Sequence, residues 1–61
     1  MFIYQDAEKG HALTRTYKGK HRSLYAMTLG GWYAGGFSAK SDTEALRVFR
    51  LVMSREEAAA V

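Results

Sequence analysis

The chain has 61 residues, no cysteine, and a net charge of +3 from nine lysines and arginines against six acidic residues. A chain this short is expected to form one domain whose small core has no disulfide to assist it, and the absence of cysteine favours a cytoplasmic protein. No stretch approaches the roughly 18 apolar residues of a membrane-spanning helix, and residues 1–6 lack the pattern of a signal peptide, so a membrane role is not expected.

The first part of the chain predicts two short strands. Residues 2–5 have the aromatic and β-branched content of a strand. Residues 11–18 place Leu13 and Tyr17 on one side and threonines on the other, which is the alternation of a half-exposed strand. We expect these strands to pair, with a basic turn at 18–21.

A second hairpin is predicted at 22–29 and 32–38, because the glycines between them accept the positive φ angles of a two-residue turn. The register divides its side chains between two faces. The face expected to join the core carries Tyr25, Met27, Leu29, Trp32 and Ala34. The other face carries Leu24, Ala26, Thr28, Tyr33 and Phe37.

This second face is too apolar for an ordinary solvated surface, and two explanations are open. Gly35 and Gly36 form a bulge that turns Phe37 inward, or Tyr33 and Phe37 lie on a contact surface. The bulge is favoured, since consecutive glycines in a strand usually mark irregular backbone.

A helix is predicted at about 42–54, with a frayed tail after about 56. Ser41 fits the N-cap position, with Glu44 three residues later to complete a capping box. A helical period gathers one apolar face, formed by Ala45, Val48, Phe49, Val52 and Met53. The expected fold is therefore α+β: a small antiparallel sheet, a meander of three to four strands, with one C-terminal helix packed on one face.

Catalysis, metal binding and cofactor binding find no support in these residues. The two histidines, His11 and His21, match no zinc pattern, and we expect both to be solvated at the surface. The serines lack a nucleophile-elbow context, and the acidic residues are accounted for by capping and turns. We therefore expect a protein that is not an enzyme and that holds no metal or cofactor.

The strongest functional signal is a basic run that contains no acidic residue. It consists of Arg15, Lys18, Lys20, His21 and Arg22. Cations at a turn beside tyrosine-bearing strands, including Tyr33, suit contacts to phosphates and bases. A solubilising turn is an equally good interpretation. Arg47 and Arg50 on the polar side of the helix form a second basic surface, as soluble helices commonly display.

The segment 31–46 joins a hairpin strand to the capping box and covers part of the chain. It resembles the sheet-to-helix passage of the arm-binding domains of tyrosine integrases, which lay their sheet in a DNA groove. It is also similar to the strand and helix start of HicB-type antitoxins, which bind a small toxin. The resemblances imply a topology and two kinds of partner, nucleic acid or protein.

The sequence therefore leaves two candidate functions open. The first is nucleic-acid binding through the basic turn and the adjoining sheet face. The alternative is a stoichiometric inhibitor or regulator that blocks a partner protein, such as a phage-type anti-defence factor (an anti-CRISPR, for example) or an antitoxin. A homodimer that buries a sheet face or edge is a further possibility.

Overall fold

A computed structural model of the chain describes residues 1–59 and contains four strands and one helix. The elements are β1 (Phe2–Asp6), β2 (His11–Tyr17), β3 (Ser23–Leu29), β4 (Trp32–Ala39) and α1 (Asp42–Ala59). The strands form one antiparallel sheet in the order β1-β2-β3-β4, and α1 packs on one side of it. The predicted α+β meander with one C-terminal helix is confirmed.

The core lies between α1 and the side of the sheet that faces it. Phe49 is its central helical residue, fully buried, with its ring centroid 5.6 Å from that of Tyr4. The other buried apolar side chains are Leu13, Tyr25, Met27, Leu29, Ala39 and Ala45. The predicted apolar face of the helix therefore does pack on the sheet, with Val52 and Met53 at the edge of the core.

Helix α1 starts where the sequence predicts and ends later. The Ser41 hydroxyl accepts a hydrogen bond from the backbone N–H of Glu44 at 3.1 Å, as an N-cap does. The helix continues to Ala59, beyond the predicted end at about 54. Residues 54–59 are exposed, so helix propensity rather than packing accounts for this last part. The end of the predicted frayed tail, 60–61, lies outside the described residues.

A polar cluster ties the start of α1 to the sheet. The carboxylate of Asp42 accepts a 2.6 Å hydrogen bond from the Tyr25 phenol and a 2.9 Å contact from the Arg15 guanidinium. The bond from Tyr25, and then the neighbouring Arg15, hold the pKa of Asp42 below its ordinary value of 3.8. Burial, and then the bond to Asp42, raise the pKa of the Tyr25 phenol.

Strand β4 contains a bulge at Ala34–Gly35, one residue before the predicted Gly35–Gly36, because Gly36 pairs regularly with Ala26. Tyr33 lies opposite Thr28 and Gly35 opposite Met27, so Ala34 has no counterpart on β3. Gly35 has a φ of +125°, a conformation that side chains rarely adopt. Beyond the bulge Phe37 lies opposite Tyr25, and the two rings stack with centroids 5.6 Å apart on the helix side. The preferred explanation of Phe37, a bulge that turns it inward, is confirmed.

Two residues expected in the core are exposed. Trp32 lies opposite the buried Leu29 but is 80% exposed, because it begins the outer strand beside the turn rather than under the helix. Ala34 is exposed as the extra residue of the bulge. The prediction that both belong to the core is wrong.

His11 also departs from expectation. Its side chain is only 7% exposed, and its Nδ1 has no hydrogen-bond partner among the described residues. It opens β2 on the helix side of the sheet, in the same alternation as Leu13. The expectation of a solvated loop histidine is wrong for His11, whereas His21 is exposed.

No helix within residues 1–59 combines the length and apolar character needed to cross a membrane.

Candidate nucleic-acid interface

The side of the sheet away from α1 is uncovered among the described residues, and we call it the open face. Residues directly opposite each other in an antiparallel pair point to the same side, so the register assigns its members. They include Phe2, Gln5, Ala12, Thr14, Tyr17, Leu24, Ala26, Thr28, Tyr33 and Ser38. Rings, aliphatic groups, hydroxyls and the amide of Gln5 make up this set, and none of its members is charged.

Tyr17 reaches the open face through a bulge in β2. Arg15 lies opposite Tyr25 and Tyr17 opposite Leu24, so Thr16 is the extra residue. The bulge separates Tyr17 from Leu13, which the sequence pattern placed on the same side. Leu13 is buried in the core, whereas Tyr17 is 62% exposed.

Tyr33 is the most exposed ring of the open face, at 73%. A side chain added at Gly36, farther along the same strand, would place its Cβ 3.3 Å from the Tyr33 hydroxyl. The ring therefore lies along β4 instead of standing away from it. Beside it is a groove of about 580 Å³ whose walls include Thr16, Leu24, Ala26 and Ser38.

The loop from β2 to β3, residues 18–22, is the predicted basic turn, and we call it the cationic turn. Lys18, Lys20, His21 and Arg22 are all exposed. The ion pairs within residues 1–59 are Lys9–Glu57 and Arg15–Asp42, so no cation of this turn forms an ion pair there, although Lys18 is near enough to Asp42 to help lower the pKa of that carboxyl.

Two contacts join the cationic turn to the open face. The Arg22 guanidinium donates to the Ser38 hydroxyl at 3.1 Å and to the Ser38 carbonyl at 3.2 Å, which holds this cation at the rim of the open face. The Tyr17 ring lies against Gly19, where an added Cβ would be 3.4 Å from Cε2. That Cβ would also collide with the carbonyl oxygen of Arg22, so the shape of the turn depends on glycine at 19.

Charge is distributed unevenly along the molecule. The end that holds the cationic turn also holds the start of α1, because the connection from β4 to the helix is short. Its basic residues are Arg15, Lys18, Lys20, Arg22 and Lys40, against Asp42 and Glu44. The opposite end, where Lys9 pairs with Glu57, is acidic. Its charges are Asp6, Glu8, Glu56 and Glu57, against Lys9 and Arg55.

The structure does not bring all of the predicted binding residues together. Lys18, Lys20, His21, Arg22 and Tyr33 belong to the cationic turn or the open face.

Arg15 lies on the helix side of the sheet, 18% exposed and paired with Asp42, so we leave it out of the candidate interface. Arg47 and Arg50 lie on the outer side of α1, away from the sheet, beside a groove of about 480 Å³ that also contacts the exposed Leu51.

Sequence reasoning missed Phe2 and Tyr17 as exposed members of one surface with Leu24 and Tyr33. The available signal was the apolar content of both sides of the second hairpin, which a single covering helix is too narrow to bury. Among residues 1–59, no three histidine, cysteine or acidic side chains cluster as metal ligands. The arrangement therefore presents cations and rings, which suit binding to a polyanion with aromatic bases.

Comparisons with protein-family models, with curated proteins and with solved structures gave no match for this chain.

Proposed function

We propose that this protein binds nucleic acid through the cationic turn and the open face. One observation carries the proposal: the cations of Lys18, Lys20 and Arg22 are exposed, lack ion pairs within residues 1–59, and adjoin an uncovered face that bears aromatic rings. Phosphates and bases are the partners that such a combination recognises together.

The cations supply the part of the affinity that does not depend on base sequence. Each phosphate that a lysine or arginine neutralises releases counterions, and the logarithm of the affinity falls by about 0.7 to 0.9 for each tenfold rise in salt. Contacts from Lys18, Lys20 and Arg22 then predict a slope of roughly −2 to −3. Affinity should fall at least tenfold between about 50 and 200 mM salt.

The test is fluorescence anisotropy with labelled oligonucleotides of mixed sequence, at several salt concentrations. A variant with Lys18→Glu, Lys20→Glu and Arg22→Glu should lose binding at moderate salt, because its turn repels phosphate. The matched control changes Arg47, Arg50 and Arg55 to Glu on the helix, which alters the net charge by the same amount.

The control should keep most of the affinity, because its positions lie on α1, with Arg47 and Arg50 on the side away from the open face. Equal losses in both variants would mean that binding follows net charge alone, and would reject the cationic turn as the site. Circular dichroism of each variant checks that the fold is intact.

A second candidate is a protein-directed inhibitor or regulator, such as an anti-defence factor or an antitoxin. The groove on the outer side of α1 favours it, because Leu51 is exposed there between arginines that suit an acidic partner. Paired substitutions Arg47→Glu and Leu51→Ala should then abolish a defined complex in a pull-down, while the variant of the cationic turn keeps it. A complex that survives the helix substitutions would reject this surface.

Self-association is a separate proposal, supported by β4. This outer strand runs Trp32–Ala39 without a charged residue or a proline, and such an edge can pair with a second copy. Light scattering at high protein concentration tests it, since a monomeric mass throughout would exclude the dimer.

A further inference from the structure

We infer that the nucleic acid bound is single-stranded, with unpaired bases stacking on Tyr17 and Tyr33 of the open face. The inference rests on the proposed function and specifies its ligand. It follows from the position of the rings, from what the open face lacks, and from the placement of charge at its two ends.

The rings are available for stacking on their outward surfaces. Tyr17 and Tyr33 are among the most exposed large side chains, and both lie on the uncovered side of the sheet. Tyr33 lies along β4 over Gly36, a position where the chain has no side chain to lift the ring. Any base has a π-face, so such rings hold unpaired bases with little regard to sequence.

The spacing of the two rings suits bases that are not neighbours. Tyr17 is on β2 and Tyr33 on β4, about 10 Å apart across the strands. Along the strands the backbone of Tyr17 is level with Leu24 and that of Tyr33 with Thr28, roughly 13 Å apart, which gives about 16 Å between the two backbone positions. The Tyr33 ring reaches along β4 to Gly36, but the rings still stand on strands about 10 Å apart. Stacked neighbours in one strand of a duplex are about 3.4 Å apart, so an extended single strand with splayed bases fits this spacing better.

Between the two rings the open face offers the nucleic acid an apolar groove and, at one rim, a fixed cation. Leu24, Ala26 and the backbone of Gly36 form the floor of the groove that Tyr33 borders. Arg22 is fixed at one rim of the same face by its bonds to Ser38. A nucleic-acid strand could thus place a phosphate at Arg22 and the cationic turn, and lay its next bases across the open face.

A duplex fits this surface poorly. Readers of the major groove use arginine, lysine, asparagine or glutamine against base edges, whereas the open face offers one such side chain, Gln5, and its exposed rings stand among threonine, serine and aliphatic side chains. Four strands span about 14 Å between the outer two, more than the roughly 12 Å width of the groove. The end of the molecule opposite the cationic turn is acidic, and this negative charge disfavours a second phosphate backbone there.

The experiment measures anisotropy with one labelled 12-nucleotide strand, free and annealed to its complement, at about 100 mM salt. The free strand should bind at least tenfold more tightly than the duplex. Tyr17→Leu and Tyr33→Leu keep an apolar side chain but remove the ring. Each should weaken binding of the free strand about fivefold or more, as loss of one stacked base does.

Two control variants accompany them. Tyr33→Phe keeps the ring and should keep the affinity. Trp32→Leu removes an equally exposed ring that the register places on the helix side, opposite Leu29, and should leave binding unchanged. The tyrosine variants should also keep the salt slope, because the cationic turn is intact.

The outcomes separate the inference from the proposed function. Equal affinity for both forms, with no effect of the tyrosine variants but loss in the variant of the cationic turn, would overturn the single-strand inference and support nucleic-acid binding. Absence of binding to either form at low salt would overturn the proposed function and this inference with it.

Discussion

The two sides of the sheet carry similar residues, but one side is buried under α1 and the other is exposed. The side under α1 holds the rings of Tyr4, Tyr25 and Phe37: Tyr4 packs against Phe49, and Tyr25 stacks on Phe37. The open face holds the rings of Phe2, Tyr17 and Tyr33, each more than half exposed. The difference lies in the covering helix and not in composition, and the uncovered set of rings is the feature on which the proposed contact surface rests.

The two sides also differ in the hydrogen bonds that their polar groups make. On the helix side the Tyr25 phenol and the Arg15 guanidinium both donate hydrogen bonds to the carboxylate of Asp42. On the open face Ser38 engages Arg22 at the rim, and the Tyr17 and Tyr33 hydroxyls have no side-chain bond within residues 1–59. Polar groups on one side stabilise the fold, while those on the other remain available to a ligand.

The largest expected effect is on the covered side. Phe49→Ala should lower the free energy of unfolding by about 3–5 kcal/mol, because it empties the centre of the core. Since a domain this small has little stability to spare, the variant should be largely unfolded. Urea denaturation followed by circular dichroism measures it. Leu51→Ala, on the exposed side of the same helix, should change it by less than about 0.5 kcal/mol, and similar losses in the two would contradict the packing described.

A smaller effect is expected where a bulge decides which side a ring occupies. Gly35→Ala should cost about 1–3 kcal/mol, because a φ of +125° is strained for any side chain. The control is Gly30→Ala, at a φ of +61° with open space around the added Cβ, which should cost about 1 kcal/mol. Thermal unfolding ranks the two. A Gly35 variant as stable as the wild type would contradict the backbone strain assigned to this position of the bulge.

Low pH should reduce the free energy of unfolding through protonation of Asp42. Because its pKa is lowered by folding, the unfolded chain takes up the proton first as the pH falls. The contribution to stability is complete above about pH 4 and is lost as the pH falls through the folded pKa. Urea denaturation between pH 6 and pH 3 should show this loss in the wild type and a shallower one in Asp42→Asn.

High pH should also reduce the free energy of unfolding, through ionisation of Tyr25 in the same cluster. Folding raises the pKa of the Tyr25 phenol above 10.0, so stability is complete below pH 10 and declines as the pH rises beyond it. Tyr25→Phe keeps the ring and removes this decline. Identical acid slopes in wild type and Asp42→Asn, or identical alkaline slopes in wild type and Tyr25→Phe, would argue against the cluster.

The smallest expected effect is on the open face. Tyr33→Ala and Tyr17→Ala should each change the free energy of unfolding by less than about 0.5 kcal/mol, because neither ring is buried. The same denaturation experiment measures it. A loss above about 1.5 kcal/mol would mean that these rings hold the sheet together, and the distinction between the two sides would fail.

Most of the fold was predictable because its signals are local. Alternation of apolar residues, the glycines between Leu29 and Trp32, and the cap at Ser41 each act within a few residues of the chain. The predicted strands and the start of the helix accordingly agree with the structure to within one or two residues. The cationic turn was predictable for the same reason, since Lys18–Arg22 are adjacent in sequence.

The candidate site was predicted only in part, because each bulge reverses the side on which later residues lie. The bulge at Thr16 moved Tyr17 to the open face, and the bulge at Ala34 moved Phe37 away from it. Arg15 was grouped with the cationic turn by its position in the chain, whereas its partner Asp42 lies 27 residues farther on.

The sequence by itself determined the order of the elements, the apolar stripe of the helix and the clustering of positive charge at one turn. Only the tertiary structure decided which rings are covered, that His11 is buried, and that Arg22 stands at the rim of an open aromatic face. The physical reason is range: propensity and alternation act between near neighbours, while burial depends on where one helix lies across four strands.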